Sequence, residues 1–366
     1  MIETIPQQPV GYMVFGLSAV ILAVLILPLC VKFIEHNLEP FFLLMGVIAV
    51  TISGLWSSSL IVEALKAPVV INSLPIGIFQ VVLVLGLVIY YLNKPVYKTV
   101  ATLYGKLGPK LFIFFTILIL SLISSFISVI VTAVILAELI AILPFAHEAK
   151  VKMAVVTCFA VGLGAVLTPL GEPLSTILVQ KLSGEPYFAR FFFPIEHFAL
   201  YVLPGVIVLA IFGAFFVGRN LSKTNVDSIP QYNETLKSVF IRAVKVFLFV
   251  AALVLLGEGL KPLIIWYLAG IPAWALYWIN SISAVLDNAT LTAVEIGATM
   301  SIAQIVFAIM GLLIAGGALI PGNIPNIVAA GRLKISMKEW AKIGVPVGLV
   351  LMVVFFVALI PRMNLA

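Results

Sequence analysis

Two acidic residues in this chain stand in company that suits ion chemistry. Asp287 is followed by neutral oxygen donors in Ser283-Ala-Val-Leu-Asp287-Asn288-Ala-Thr290. Glu172 lies in Gly162-Leu-Gly-Ala-Val-Leu-Thr168-Pro169-Leu-Gly171-Glu172-Pro173-Leu-Ser175-Thr176, where glycine and proline crowd a stretch that is otherwise apolar. A third run, Gly316-Gly-Ala-Leu-Ile-Pro321-Gly322-Asn323-Ile-Pro325-Asn326, repeats the glycine and proline pattern with amides in place of the acid. An ionised carboxylate in apolar surroundings costs at least about 2.5 kcal/mol, so it normally faces a cavity, a cation or a proton pathway. Carboxylate, amide, hydroxyl and freed carbonyl oxygens together make a hard ligand set of the kind Na⁺ takes. The plainer alternative is that each acid caps a half-helix N-terminus, where the helix dipole favours negative charge. The hydroxyls of Ser128, Thr132, Ser175 and Thr176 have a plain alternative too, since they can satisfy their own helix backbone. Glu295 and Glu138 form a second rank of candidates. Glu295 comes eight residues after Asp287 and shares its face if the helix is regular.

The elements that position these residues must lie in lipid. Of 366 residues, 63% are hydrophobic and 10% charged, and the mean hydropathy is +1.24; a soluble domain of this length could not cover its surface with so little polar residue. Apolar stretches long enough to span a bilayer run about Gly11 to Val31, Phe41 to Ile61, Ile76 to Leu92, Val151 to Gln180, Phe198 to Val217, Val239 to Gly257, Ser301 to Ala330 and Ile343 to Ile360. Two longer stretches, Leu111 to Leu143 and Leu263 to Met300, carry polar patches at their middles: Ser124, Ser125 and Ser128 in one, Ser281, Ser283, Asp287 and Asn288 in the other. Each reads as a re-entrant hairpin, which a membrane tolerates where protein or water surrounds the tip. Proline removes a backbone donor and glycine permits unusual dihedrals, so helices should break at Pro169, Gly171 and Pro173 and again at Pro321, Gly322 and Pro325.

Charge tests that layout. With both hairpins returning to their starting side and the N-terminus outside, sixteen of the 21 basic residues fall inside, as the positive-inside rule requires. Turning either hairpin into a full crossing spoils the bias. The expected fold is therefore an all-α polytopic membrane protein with about eight crossings and two re-entrant hairpins. Residues 1–75 would be N-terminal scaffold, 76–217 a first repeat, 218–238 a cytoplasmic linker and 239–366 a second repeat of inverted topology. The N- and C-termini would lie outside, in a prokaryotic inner membrane. Inverted repeats with broken helices imply alternating access around a midplane site.

From about residue 76 onward the order and spacing of these motifs resemble the ion transporter superfamily, which includes NhaD-type sodium/proton antiporters, arsenite permeases and dicarboxylate/sodium symporters. Ser283 to Thr290 is similar to that group's hairpin tip. Gly322-Asn323-Ile-Pro325-Asn326-Ile-Val-Ala-Ala, then Ile335-Ser-Met-Lys-Glu-Trp340 and Gly344-Val-Pro346, are similar to its broken helix, interfacial helix and last span. Within the group the chain looks most like the predicted cation transporter family. The resemblance implies a cation site in each half, at Asp287, Asn288, Gly322 and Asn323 and at Ser128, Gly171 and Glu172, and a homodimer. At the first tip the group's Asp-Asn pair is replaced by Ser128-Val129, and Glu172 is the nearest substitute acid.

The function expected is cation/proton exchange. Asp287 and Glu172 would bind Na⁺ or another monovalent cation, assisted by Asn288, Thr290, Asn323, Asn326, Ser128 and Ser175, and release it on protonation. Transported cation and H⁺ are the only small partners expected, with no cofactor. The basic residues are spread over loops rather than one face, so a lipid bilayer and not nucleic acid accounts for them. A carrier of a small anion is the alternative; no Arg or Lys is expected at the midplane to serve it. An enzyme is not expected, since the spans lack Ser/His/Asp or HExxH patterns.

Overall fold

The computed structural model describes residues 5–6, 8–35, 37–70, 78–221, 235–268, 271–286 and 288–363. Every regular element among the described residues is helical. In chain order they are α1 (Gly11–Cys30), α2 (Lys32–Glu35), α3 (Leu38–Ser53), α4 (Ser58–Lys66), α5 (Ile78–Ile127), α6 (Val129–Ile142), α7 (His147–Ala165) and α8 (Pro173–Lys181). They continue with α9 (Phe193–Phe216), α10 (Leu236–Leu268), α11 (Ala273–Ile279), α12 (Asn288–Glu295), α13 (Ile302–Gly316), α14 (Ile324–Leu333) and α15 (Met337–Met363). Five stretches among the described residues are long and apolar enough to cross a membrane: Gly11–Pro28, Thr102–Ile127, Phe193–Phe216, Leu236–Tyr267 and Met337–Arg362. The chain is an integral, multi-pass membrane protein.

Helices α7 and α13 sit at the centre because their sequences leave them no polar face. From Met153 to Ala165, and from Ile305 to Gly316, every residue is buried, the expected place of a helix that is apolar all round. Small residues let neighbours close on them. A Cβ at Gly164 would overlap the carbonyl oxygen of Ser121 on α5, and one at Gly311 would lie 2.6 Å from the carbonyl oxygen of Tyr277 on α11. Helices α9 and α15 cover the outer faces of this pair, each packing on its own broken helix, α7 or α13.

A second unit is built on α3 and α10, which make the most extensive helix contact in the molecule. A Cβ at Gly46 would lie 2.9 Å from the Ala252 carbonyl oxygen, and one at Gly259 would meet Ala49 at 2.6 Å. Glu39 pairs with Lys245 at 3.4 Å, and the rings of Phe42 and Phe249 stand 5.0 Å apart. Partners on both helices rise in number together, so α3 and α10 run in the same direction. Helices α1 and α4 pack on this pair.

Two expected boundaries move. A loop was expected between a crossing ending at Leu92 and a hairpin opening at Leu111, but helix α5 covers that stretch. Its lysines lie among good helix formers, including Ala101, Leu103 and Leu107. The backbone turns aside only at Gly108, whose φ of +73° needs glycine, just before Pro109. The span expected to end at Gly257 likewise continues through Pro262 to Leu268, with Glu258 and Lys261 paired at 2.9 Å on one face. The second polar stretch is thereby shortened to α11, a 3-10 turn at Asn280–Ala284 and α12. Residues 222–234 of the expected linker lie outside the described residues.

Candidate cation site

The two helix breaks are built alike. Helix α7 ends at Ala165 and α8 begins at Pro173; α13 ends at Gly316 and α14 begins at Ile324. Glu172 and Asn323 occupy the N-cap positions in nearly the same extended conformation, φ −150° and ψ 158° against φ −152° and ψ 147°. Proline follows at the start of each second half-helix, where its missing N–H costs nothing. Neither N-cap side chain caps its helix, so the plainer reading of Glu172 as a capping acid is not the geometry found. The preceding glycines allow the chain to double back: a Cβ at Gly171 would overlap the carbonyl oxygen of Ala165, and one at Gly322 would lie 2.5 Å from that of Gly316. Ala165 and Gly316, Gly171 and Gly322, Glu172 and Asn323, and Ser175 and Asn326 correspond at one constant offset in sequence.

Carbonyls freed by each break are met by side chains. In the first, Ser175 Oγ donates to the Val166 carbonyl at 2.9 Å, Thr176 Oγ1 to that of Pro169 at 2.6 Å, and Thr168 Oγ1 to that of Ser125. In the second, Asn326 Nδ2 donates to the carbonyls of Gly316 and Leu319, both at 2.8 Å, and the buried Trp340 indole to that of Gly317 at 3.1 Å. Thr132 Oγ1 donates to the Ser128 carbonyl at 3.0 Å. The hydroxyl hydrogens of Ser175, Thr176 and Thr132 thus serve the backbone, as do those of Ser124 and Ser125.

The tips differ. At Ser128, between α5 and α6, φ is +79°, a region non-glycine residues seldom adopt. The turn is tied down: the Val129 N–H donates to the Gly171 carbonyl at 2.6 Å, and Ser128 Oγ accepts from the Ile130 N–H at 3.3 Å. At the second tip Asn288 opens α12 and is 4% exposed, yet neither its Oδ1 nor its Nδ2 has a hydrogen-bond partner among the described residues. A Cβ placed on Gly316 would lie 2.9 Å from Asn288 Nδ2, 3.0 Å from its Oδ1 and 2.9 Å from the Gly322 carbonyl oxygen. Asn326 Oδ1 is a second buried oxygen without a partner. Asn323 lies against Gly162 of the other broken helix, where a Cβ would come within 2.7 Å of its Nδ2. The Asn288 amide and the Gly316 and Gly322 carbonyls therefore meet at the second break, with Asn326 hydrogen-bonded to Gly316. Buried polar atoms are normally hydrogen-bonded, and an orphaned pair on one amide calls for an explanation such as a bound ion. Asp287 and the side chain of Thr290 lie outside the described residues.

The second-rank acids do not join either tip. Glu138 lies ten residues beyond Ser128 on α6, about 15 Å along a helix. It is 2% exposed, and its Oε1 is 3.0 Å from Arg242 Nη2 of α10 and 2.8 Å from Arg332 Nε of α14. The sequence places both arginines among the inner loop charges, whereas the structure buries them at this acid. Glu138 is thereby the centre of an ion cluster joining three helices. Gly86 of α5 makes room, since a Cβ there would lie 2.9 Å from Arg242 Nη2. Glu295 ends α12, about 10 Å from Asn288 along the axis. Its Oε2 accepts from Asn280 Nδ2 at 2.9 Å, while its Oε1 is buried without a hydrogen bond.

A family model described as a protein of unknown function, DUF1646, matches residues 14–361, a stretch that takes in both breaks, both tips and the scaffold. The chain belongs to the DUF1646 family. No curated protein matches it. Among the described residues of this DUF1646 chain, no three His, Cys, Asp or Glu side chains converge as a metal-binding group. Sequence reasoning missed Arg242, Arg332 and Asn280 as partners of buried acids. Asn280 carried a signal, being an amide in an apolar stretch and one of two polar residues opening Asn280-Ser-Ile-Ser283. The arginines carried none, because charge at a helix end reads equally well as a loop.

Proposed function

We propose that this DUF1646 protein is a secondary active transporter that exchanges Na⁺ or another monovalent cation for protons by alternating access. The observation that carries the reading is the pair of buried amide oxygens at the second break, Asn288 Oδ1 and Asn326 Oδ1, neither of which has a hydrogen-bond partner among the described residues. Such a pocket offers neutral oxygens to a dehydrated monovalent cation. Asp287, adjacent in sequence, supplies the charge whose occupancy by cation or proton alternates, and Glu172 plays that part at the first break. The absence of basic side chains from the pocket's described residues favours a cation over an anion, and the buried arginines are already engaged by Glu138.

The wider frame is the ion transporter-like arrangement: about eight crossings, two re-entrant hairpins at α5–α6 and α11–α12, and two inverted repeats. Support comes from the matched breaks and from paired contacts, α6 on α14 and α12 on α8, that join each hairpin to the other half's broken helix. The parallel course of α3 and α10 agrees with both starting on the inner side. The scaffold of α1, α3, α4 and α10 would then stay fixed while hairpins and broken helices move.

The test is proton flux in proteoliposomes carrying a pH dye, with NaCl, LiCl or KCl added against a choline control, for wild type, Asp287→Asn and Glu172→Gln. Dye recovery with one cation, lost in both variants, is expected. No response to any cation from folded protein overturns the reading and directs the search to anion uptake.

A further inference from the structure

Resting on the exchange reading, the geometry points to Glu295, held by Asn280, as the relay through which the exchanged proton reaches and leaves the second tip. Three observations on separate elements meet here. Asn280 is fully buried in the 3-10 turn, and its Nδ2 donates both to Glu295 Oε2 at 2.9 Å and to the Ala308 carbonyl of α13 at 3.1 Å. The amide is thus anchored to the broken helix and fixes the carboxyl rather than following it. Glu295 Oε1 and Asn280 Oδ1 are both buried with no hydrogen-bond partner among the described residues, which leaves one acceptor beside the acid and one carboxyl oxygen open to a proton. Past the acid, Ala298 and Thr299 are exposed, while Asn288 at the other end of α12 is buried. Glu295 therefore stands between a surface loop and the tip, two turns from Asn288 on a regular helix.

Among the described residues no basic side chain pairs with this acid. Of the elements packed against α12, α13 has no ionisable residue, and α8 has Glu172 at its N-cap and Lys181, which is exposed. On α10, Lys237 is exposed, while Arg242, Lys245, Glu258 and Lys261 each have an ion-pair partner of their own. The last residue of a helix is also an unfavourable place for a carboxylate, facing the negative end of the dipole. A proton transferred onto Oε1 and passed toward the tip gives the group a use that a structural carboxyl would not have.

A relay is needed for proton-coupled exchange and not for exchange of one cation for another. The experiment compares two fluxes in proteoliposomes, cation-driven proton movement by pH dye and ²²Na⁺ counterflow at equal pH, for wild type, Glu295→Gln, Glu295→Asp and Asn280→Ala. Glu295→Gln is expected to cut proton-coupled exchange at least tenfold while counterflow stays within twofold of wild type. Glu295→Asp should restore part of the coupled flux, and Asn280→Ala should shift its pH profile. Equal loss of both fluxes in Glu295→Gln, or loss of neither, overturns the relay. Absence of counterflow and coupled flux in wild type overturns the exchange reading itself, a distinct failure.

Discussion

The turn at Ser128 and the start of α12 at Asn288 each meet a helix break, and their polar groups are satisfied in opposite ways. At the first, a backbone N–H from Val129 takes up the Gly171 carbonyl, and the buried acid beyond the tip, Glu138, is held by two arginines. At the second, the residue corresponding to Val129 is Asn288, buried with its amide unmatched, and the buried acid beyond it, Glu295, has only an amide donor. The base that matches Arg332 in the first break's half-helix is Lys181, which is exposed and in no ion pair among the described residues. The acid beyond the first tip is matched by opposite charge, whereas the acid beyond the second is met by a neutral amide. Two breaks of one backbone plan thus carry different side-chain chemistry.

The largest expected effect breaks the contrast between the acids. Glu138→Gln removes the counter-charge from two buried guanidiniums and should destabilise the detergent-solubilised protein by about 3–5 kcal/mol. Glu295→Gln should cost no more than about 1 kcal/mol, because the amide can still accept from Asn280. Thermal unfolding of the two variants side by side decides it, and equal losses would remove the distinction. Next come the breaks. Gly171→Ala and Gly322→Ala should each cost about 1–3 kcal/mol or more by overpacking against backbone. Gly331→Ala, in α14 with nothing within 4 Å of its added methyl, should gain about 0.4–1 kcal/mol. The smallest effects sharpen the contrast between tips. Val129→Asn buries a new unmatched amide and should lose about 1–3 kcal/mol, while Asn288→Val should be near neutral or stabilising when no cation is present.

Both breaks were legible in the sequence because proline and glycine act on their own backbone: Pro173, Pro325, Gly171 and Gly322 end and restart helices without help from distant residues. The polar middle of the second hairpin was legible for the same reason, as an Asn in an apolar run has few places to go. What the hydroxyls do was not legible, since whether Ser175 serves an ion or the Val166 carbonyl depends on how the break folds back. The ion cluster was hidden more deeply. Glu138, Arg242 and Arg332 lie on three helices far apart in sequence, and nothing local tells a buried arginine at a helix end from a loop charge. The length of α5 was obscured by its lysines, whose charge suggested a loop although lysine is a good helix former.

The central claim, that Asn288 at the second break helps to bind a monovalent cation, is tested most directly by cation-dependent thermal stability of the purified protein. Wild type and Asn288→Val would be heated in NaCl, LiCl, KCl or choline chloride at equal ionic strength. A ligand at a hundred times its dissociation constant stabilises by about 2.7 kcal/mol, so one cation should raise the wild-type midpoint by several degrees and leave Asn288→Val unmoved. A midpoint that no cation shifts, or a shift that survives in Asn288→Val, would contradict it.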